Sequence, residues 1–127
     1  MDNKFYVSLE AARLLKEKGY DGDAEYAYHE NGNFSHWGRN VNDIDYLYAA
    51  PTKAETIDWL ESKGIVIIVD EYYIMHEEDD YYTSCWGYYI RKDDEGVCRD
   101  NSSEYKTRLE AKDAAIIKAC ELLTNEN

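Results

Sequence analysis

Two histidines stand in similar settings along the chain, and they are the first residues whose types could support chemistry. His29 is followed by Glu30 and a turn signal, and His76 is followed by Glu77 and an acidic turn. Imidazole and carboxylate groups brought together can form a metal site or an acid–base pair. Neither a His-x-x-x-His nor a His-Glu-x-x-His arrangement occurs, which argues against metal. We interpret both pairs as surface residues at strand ends and expect no metal or cofactor.

The cysteines offer a second kind of chemistry, through a nucleophilic thiol. Cys85 would need a base, and His76 lies on the opposite strand of the same predicted hairpin. Ser84-Cys85-Trp86-Gly87 resembles Ser35-His36-Trp37-Gly38, in which His36 stands in the place of Cys85, so this position does not require a thiol. With Cys98 and Cys120 the cysteines number three and lack Cys-x-x-Cys spacing, which favours buried, reduced thiols. We therefore expect no enzymatic activity.

Loops that bind ions or phosphates are also absent from the sequence. Asp93-Asp94-Glu95-Gly96 has the composition of a calcium loop but lacks its alternating Asp-x-Asp-x-Asp-Gly pattern. There is no phosphate-binding glycine loop and no Gly-x-Ser-x-Gly nucleophile turn.

The net charge of the chain excludes several classes of partner. Lys plus Arg number 14 and Asp plus Glu number 27, which gives a net charge of -13. Binding to nucleic acid or to an anionic membrane depends on cations that meet phosphates, so we expect neither. The longest apolar run, residues 65–69, is too short to span a bilayer, and the N-terminus lacks the pattern of a secretory signal. These features predict a cytoplasmic protein.

Tyrosine dominates the aromatic residues, with 13 Tyr against 3 Trp and 2 Phe. A tyrosine side chain combines an apolar ring with a hydroxyl group, which suits half-exposed sheet faces and binding surfaces. Several tyrosines are adjacent in sequence, and alternation along a strand must send one of each pair to each face. We predict that the open-face members form a contact surface for a protein partner. The alternative is that they fill the core and rim of a small sheet. The candidate residues are Tyr72, Tyr73, Tyr81, Tyr82, Tyr88, Tyr89 and Trp86.

Helix caps and apolar periodicity predict three helices. Ser8 can cap a helix that ends at Gly19. Thr52-Lys53-Ala54-Glu55 is a capping box that begins a second helix. The same chemistry at Thr107 begins a closing helix over residues 107–123.

Two hairpins lie between these helices. Asn31-Gly32 is a strong turn signal in the first, and residues 77–80 form an acidic turn in the second. A short additional strand is predicted at residues 97–99. The sequence therefore predicts a single α+β domain over residues 1–127. Its four- or five-stranded, mainly antiparallel sheet would have three helices covering one face.

Parts of the chain resemble each other. Ser35-His36-Trp37-Gly38 has a counterpart in Ser84-Cys85-Trp86-Gly87, and similar helix ends precede both. Either an internal duplication, with repeats over 8–38 and 52–91, or convergence of similar hairpins explains this. We interpret Trp37 and Trp86 as equivalent core anchors, the alternative being an exposed stacking platform beside each glycine.

Three segments also resemble a known group of proteins. They are Tyr6-Val7-Ser8-Leu9-Glu10-Ala11-Ala12-Arg13-Leu14-Leu15-Lys16-Glu17-Lys18-Gly19-Tyr20-Asp21, Ala50-Pro51-Thr52-Lys53-Ala54-Glu55 with Trp59-Leu60, and Leu109-Glu110-Ala111. In this order they resemble small acidic proteins of unassigned function encoded by phages, prophages and conjugative elements of gut Bacteroides-type bacteria. Cys85-Trp86-Gly87 departs from that group. The resemblance implies a genomic context and supplies no catalytic residue or ligand.

The sequence favours a small non-catalytic accessory protein of a phage or mobile element that binds a protein partner through a Tyr-rich or acidic surface. The alternative is an acidic nucleic-acid mimic that occupies the basic cleft of a DNA-binding protein, which requires carboxylates in rows near the spacing of duplex phosphates. A third hypothesis, an enzyme, requires His29, His76 or Cys85 to converge in a pocket.

Overall fold

The computed structural model describes residues 3–78, 81–92 and 97–123, with side chains except at positions 74, 76, 81, 82 and 97–104. These residues form an α+β fold in which each of two helices is followed by three strands, and a third helix closes the chain. The elements are α1 (Leu9–Glu17), β1 (Tyr26–His29), β2 (Phe34–His36), β3 (Leu47–Ala50), α2 (Lys53–Ser62), β4 (Ile65–His76), β5 (Tyr81–Lys92), β6 (Val97–Tyr105) and α3 (Arg108–Leu122).

The strands form two antiparallel sheets, with the orders β2-β1-β3 and β4-β5-β6. The expectation of one four- or five-stranded sheet is wrong. Residues 47–50, which were not predicted as a strand, pair with β1 from Tyr26↔Ala50 to His29↔Leu47 and complete the first sheet. Pro51 follows at once, and because proline has no N–H to donate it ends β3 before α2.

The three helix starts predicted from caps are confirmed. Ser8 Oγ accepts a hydrogen bond from the N–H of Ala11 at 3.2 Å. Thr52 Oγ1 accepts from the N–H of Glu55 at 3.1 Å, within a complete capping box. Thr107 Oγ1 accepts from the N–H of Glu110 at 3.1 Å. Each bond satisfies a main-chain donor that the first helical turn leaves unpaired.

One hydrophobic core joins both sheets to the helices. It contains Ala12 and Leu15 from α1, Ile65 from β4, Ile90 from β5 and, among others, Ile116 of α3. A smaller cluster of Ala27, Val41 and Leu47 lies under the loop that precedes β3. The two halves of the chain therefore depend on each other for burial of apolar surface.

The two tryptophans predicted as core anchors do not lie in the core. Trp37 is 44% exposed, because it follows β2, a short strand at the edge of the first sheet. Trp86 is half-buried and lies outside both core clusters. Trp59 packs against the core instead, with its Nε1–H donating to Asp21 Oδ1 at 2.9 Å.

The halves are similar in element order and different in topology. The central strand is β1, the first strand after α1, in one sheet, but β5, the second strand after α2, in the other. Internal duplication stays a prediction. Residues 93–96, the segment with the composition of a calcium loop, lie outside the described residues.

Candidate functional site

The hairpin of β4 and β5 is longer than the helix that lies on it. Each strand has 12 residues, which span about 40 Å when extended. Helix α3 has 15 residues, which span only about 22 Å. Helix α2 also packs on β4, so the burial of the strand residues, and not length alone, shows where the helical layer ends. We call residues 70–76 of β4 with residues 81–87 of β5 the distal hairpin.

Exposure along one stripe of β4 marks where the helical layer ends. Alternate residues face the helices, and on this stripe Ile65 and Ile67 are buried and Val69 is half-buried. The next two members that carry large apolar groups are Tyr73, 67% exposed, and Met75, 51% exposed. Apolar side chains thus continue along the stripe beyond the point at which α3 covers it.

The opposite stripe of the hairpin forms an open face. Ile68 is 40% exposed there and lies opposite Tyr89 in the register, while Tyr72 lies opposite Cys85. Tyr72 and Tyr89 are half-buried, and Cys85 is buried. The core residues that contact the helices belong to the other stripe, so the helices cover one face of this sheet.

The predicted contact residues separate into three groups. Tyr73 is exposed on the distal hairpin, while Tyr72, Tyr89 and Trp86 are half-buried. Tyr88 is a correction: it is 5% exposed and belongs to the core, because its position on the helix-facing stripe lies under the helical layer. The side chains of Tyr81 and Tyr82 lie outside the described residues.

Exposed carboxylates accompany the apolar groups of the distal hairpin: Glu71 lies on the same stripe as Tyr73, and Asp70 lies on the opposite one. Asp70, Glu71, Glu77 and Glu78 are all exposed. Tyr73 Oη donates a hydrogen bond to Glu71 Oε1 at 3.1 Å, and this bond raises the pKa of the phenol. An exposed aromatic and a thioether within an acidic rim can bind an apolar group next to a cation.

A second acidic surface lies beside α2. Asp21, Asp23 and Glu25 alternate with less exposed residues in the segment between α1 and β1, and Glu55, Asp58 and Glu61 recur at helical spacing on α2. The two rows approach each other at Trp59, whose indole donates to Asp21. Burial raises the pKa of the Tyr20 phenol, and charges on both rows, at Glu55, Asp23 and Asp21, raise it further.

A cavity of about 780 Å³ opens between the N-terminal segment and α3. Leu9, Leu109 and Ile117 contribute to a mainly apolar wall, and Lys53 and Asp113 bring charges to it. A cavity of this size can hold a small molecule.

Lys53 forms part of the wall of this cavity and is hydrogen-bonded to the N-terminal segment. Its side chain is 7% exposed, and Nζ donates to the carbonyl oxygens of Lys4 and, at 2.8 Å, of Tyr6. Burial lowers the pKa of this amine, while the charge of Asp113 opposes the shift. A lysine of lowered pKa can act as a nucleophile. Because two carbonyls engage the ammonium, we interpret Lys53 as a clamp on the N-terminal segment.

The main chain places His29, His76 and Cys85, the residues of the enzyme hypothesis, at separate positions in the two sheets. His29 lies in the first sheet, where Nδ1 accepts from the N–H of Asn31 at 3.2 Å, and Cys85 lies in the second. His76 is four positions along β4 from Tyr72, the register partner of Cys85, which is about 13 Å in a strand. Over the described ranges, no group of three or more His, Cys, Asp or Glu side chains could hold a metal ion.

Sequence reasoning missed Ile68 and Met75 as exposed residues and Lys53 as a buried one. Period-two spacing places Met75 on the same side as Tyr73, and this signal was present in the sequence. The burial of Lys53 had no comparable local signal, since lysine is seldom buried.

Comparison with protein-family models, with curated proteins and with solved structures gives no match to this chain. Within the part of the chain that the structure describes, no helix combines the length and the apolar character needed to cross a membrane.

Proposed function

We propose that this protein is a non-catalytic accessory protein of a phage or mobile element, and that it binds a protein partner through the distal hairpin. The observation that carries the proposal is the exposure of Tyr73 and Met75 beyond the helical layer, next to exposed carboxylates. Aromatic and methionine side chains within a polar rim are the groups that protein interfaces favour. The mobile-element context is supported by the sequence resemblance.

Affinity capture with paired variants tests this proposal. The protein is immobilised and exposed to lysate of a gut Bacteroides-type bacterium, and bound proteins are identified by mass spectrometry. The test variant is Tyr73→Ser/Met75→Ser. The control variant, Phe5→Ser/Tyr46→Ser, removes two exposed apolar side chains elsewhere on the surface.

We expect a specific partner to be captured by the wild type and the control variant, and about tenfold less of it by the test variant, which corresponds to about 1.4 kcal/mol. Equal capture by all three proteins would remove the distal hairpin from the binding site. Circular dichroism of both variants checks that the fold is intact.

A nucleic-acid mimic is a second candidate, favoured by the two carboxylate rows beside α2. The i, i+3 spacing of Glu55, Asp58 and Glu61 advances about 4.5 Å along the helix axis per step, of the same order as the 3.4 Å rise along the DNA axis for each phosphate of one strand. Among the ion pairs of the described residues, only His36–Glu25, at 3.8 Å, involves these rows. Asp21 accepts from Trp59 and Glu55 from the Thr52 cap, so the carboxylates of the two rows that are available to a basic cleft are those of Asp23, Asp58 and Glu61.

Competition with duplex DNA separates the two candidates. A mimic would capture a DNA-binding protein that duplex DNA displaces, and Asp23→Asn/Asp58→Asn/Glu61→Gln would abolish capture. A control variant with the same loss of charge, Glu10→Gln/Glu17→Gln/Glu30→Gln, would retain it. Capture that resists DNA and depends on Tyr73 and Met75 would reject the mimic.

A further inference from the structure

The four outer strands of the two sheets differ in how their edges are protected. An unpaired edge offers main-chain N–H and C=O groups to another chain, and most proteins shorten, cover or interrupt it. β2 has only three residues. β6 is interrupted by a register shift, since Trp86 and Tyr88 of β5 pair with Tyr105 and Asp100.

The edge of β3 is covered by side chains. Asn42 Oδ1 accepts from the N–H of Ala49 at 2.7 Å. Lys16 Nζ donates to the carbonyl oxygen of Leu47 at 2.7 Å. The bridge between Tyr6 and Thr52 extends this cover just past the end of β3.

β4 has none of these features. It is 12 residues long, contains no proline or lysine, and pairs with β5 in an unbroken register. Over the ranges that the structure describes, its main chain makes hydrogen bonds to no strand, loop or side chain outside β5. From Ile68 onward most of the described side chains are exposed, so this part of the edge is accessible.

We infer that β4 accepts an extended segment of the partner protein as an additional strand, and that this segment carries Lys or Arg among β-branched residues. The inference rests on the proposed function and specifies its binding mode, which is strand addition to a sheet edge. The charge requirement follows from Asp70 and Glu71 within the edge and Glu77 and Glu78 at its end. Cross-strand pairs of opposite charge are stabilising.

A second copy of the chain fits this edge poorly. Antiparallel pairing of two copies over the full length of β4 would place Asp70 of each copy opposite Glu71 of the other, and like charges directly opposite are destabilising. Each copy also has a net charge of -13. A basic segment has neither disadvantage.

Residue-resolved amide hydrogen exchange, measured by NMR, tests strand addition directly. The probe is a synthetic peptide of alternating lysine and valine, and the control peptide has glutamate in place of lysine. Alternate N–H groups of β4 already bond to β5, so an added strand should slow exchange only at the intervening residues between Ile68 and Met75. We expect slowing of about tenfold or more with the lysine peptide and none with the glutamate peptide.

A charge-reversed variant provides the matched control. Asp70→Lys/Glu71→Lys changes two exposed residues and should transfer the protection from the lysine peptide to the glutamate peptide. The inference would be overturned if the β4 amides showed no alternating protection from exchange, or if both peptides protected them equally. Protection that appears without peptide and rises with protein concentration would identify a second copy as the occupant. If alternating protection fails while Tyr73→Ser/Met75→Ser still abolishes partner capture, strand addition alone is rejected.

Discussion

Trp37 and Trp59 differ in burial, so their side chains should contribute unequally to stability. Trp37 has its indole Nε1–H bonded to Ser35 Oγ at 3.0 Å and remains 44% exposed. Trp59 packs against the core and meets the Tyr20 ring edge-on, with centroids 5.0 Å apart. Residue type alone could not separate them, because burial depends on whether another layer lies over the strand or helix.

We predict that Trp37→Ala lowers the free energy of unfolding by less than about 1 kcal/mol, as for other exposed positions. Trp59→Ala should cost about 2–3 kcal/mol, somewhat less than truncation of a fully buried tryptophan. Urea denaturation followed by circular dichroism measures both. Equal losses, or a larger loss for Trp37, would contradict the burial of these side chains.

Helix caps are the elements in which sequence and structure agree most closely. Thr52→Ala and Thr107→Ala each remove an oxygen that accepts a main-chain N–H, so we expect each to destabilise by about 0.5–2 kcal/mol. Thr52→Ser and Thr107→Ser keep the oxygen and serve as controls that should lose much less. Unchanged denaturation midpoints for both alanine variants would mean that neither cap stabilises its helix.

The partition of the strands into two sheets could not be predicted in the same way. A cap depends on residues three positions apart, whereas the pairing of β3 with β1 depends on a chain reversal through residues 30–46. The alternation of adjacent tyrosines was also local, and it places Tyr72 and Tyr73 on opposite faces. Exposure did not follow from it, because exposed Tyr73 lies on the helix-facing stripe and half-buried Tyr72 on the open face. Which end of the hairpin extends past α3 depends on where the helices pack along the strands, at Ile65–Val69 and Tyr88–Ile90, and no local pattern predicts that position.

At the scale of the whole molecule, the Asp and Glu side chains that the structure describes are exposed or half-buried, while the core holds neutral titratable groups. The ion pairs within the described residues are exposed, as in Arg39–Asp43 at 3.0 Å, and exposed pairs contribute little to stability. Cys120 is fully buried, and burial raises the pKa of its thiol from 9.0 to about 12. Burial also raises the pKa of the phenols of Tyr20 and Tyr28 above the ordinary value of 10.0.

These shifts predict that the protein loses stability in alkali. A thiol that keeps its proton to higher pH in the folded state than in the unfolded state contributes stability that is complete below pH 9.0 and is lost as pH rises toward about 12. We expect the urea midpoint to fall from about pH 9 upward, with the tyrosines adding to the loss above about pH 10.

Cys120→Ala should weaken the pH dependence of the urea midpoint that begins near pH 9. Lys53 is present in both proteins, so the difference between Cys120→Ala and the wild type reports the thiol alone. The lowered pKa of Lys53 by itself would make stability rise with pH. Ala119→Gly, which destabilises the same helix without removing a thiol, should lower the midpoint at pH 7 and keep the alkaline onset. An onset unchanged by Cys120→Ala would show that the buried thiol is not its source.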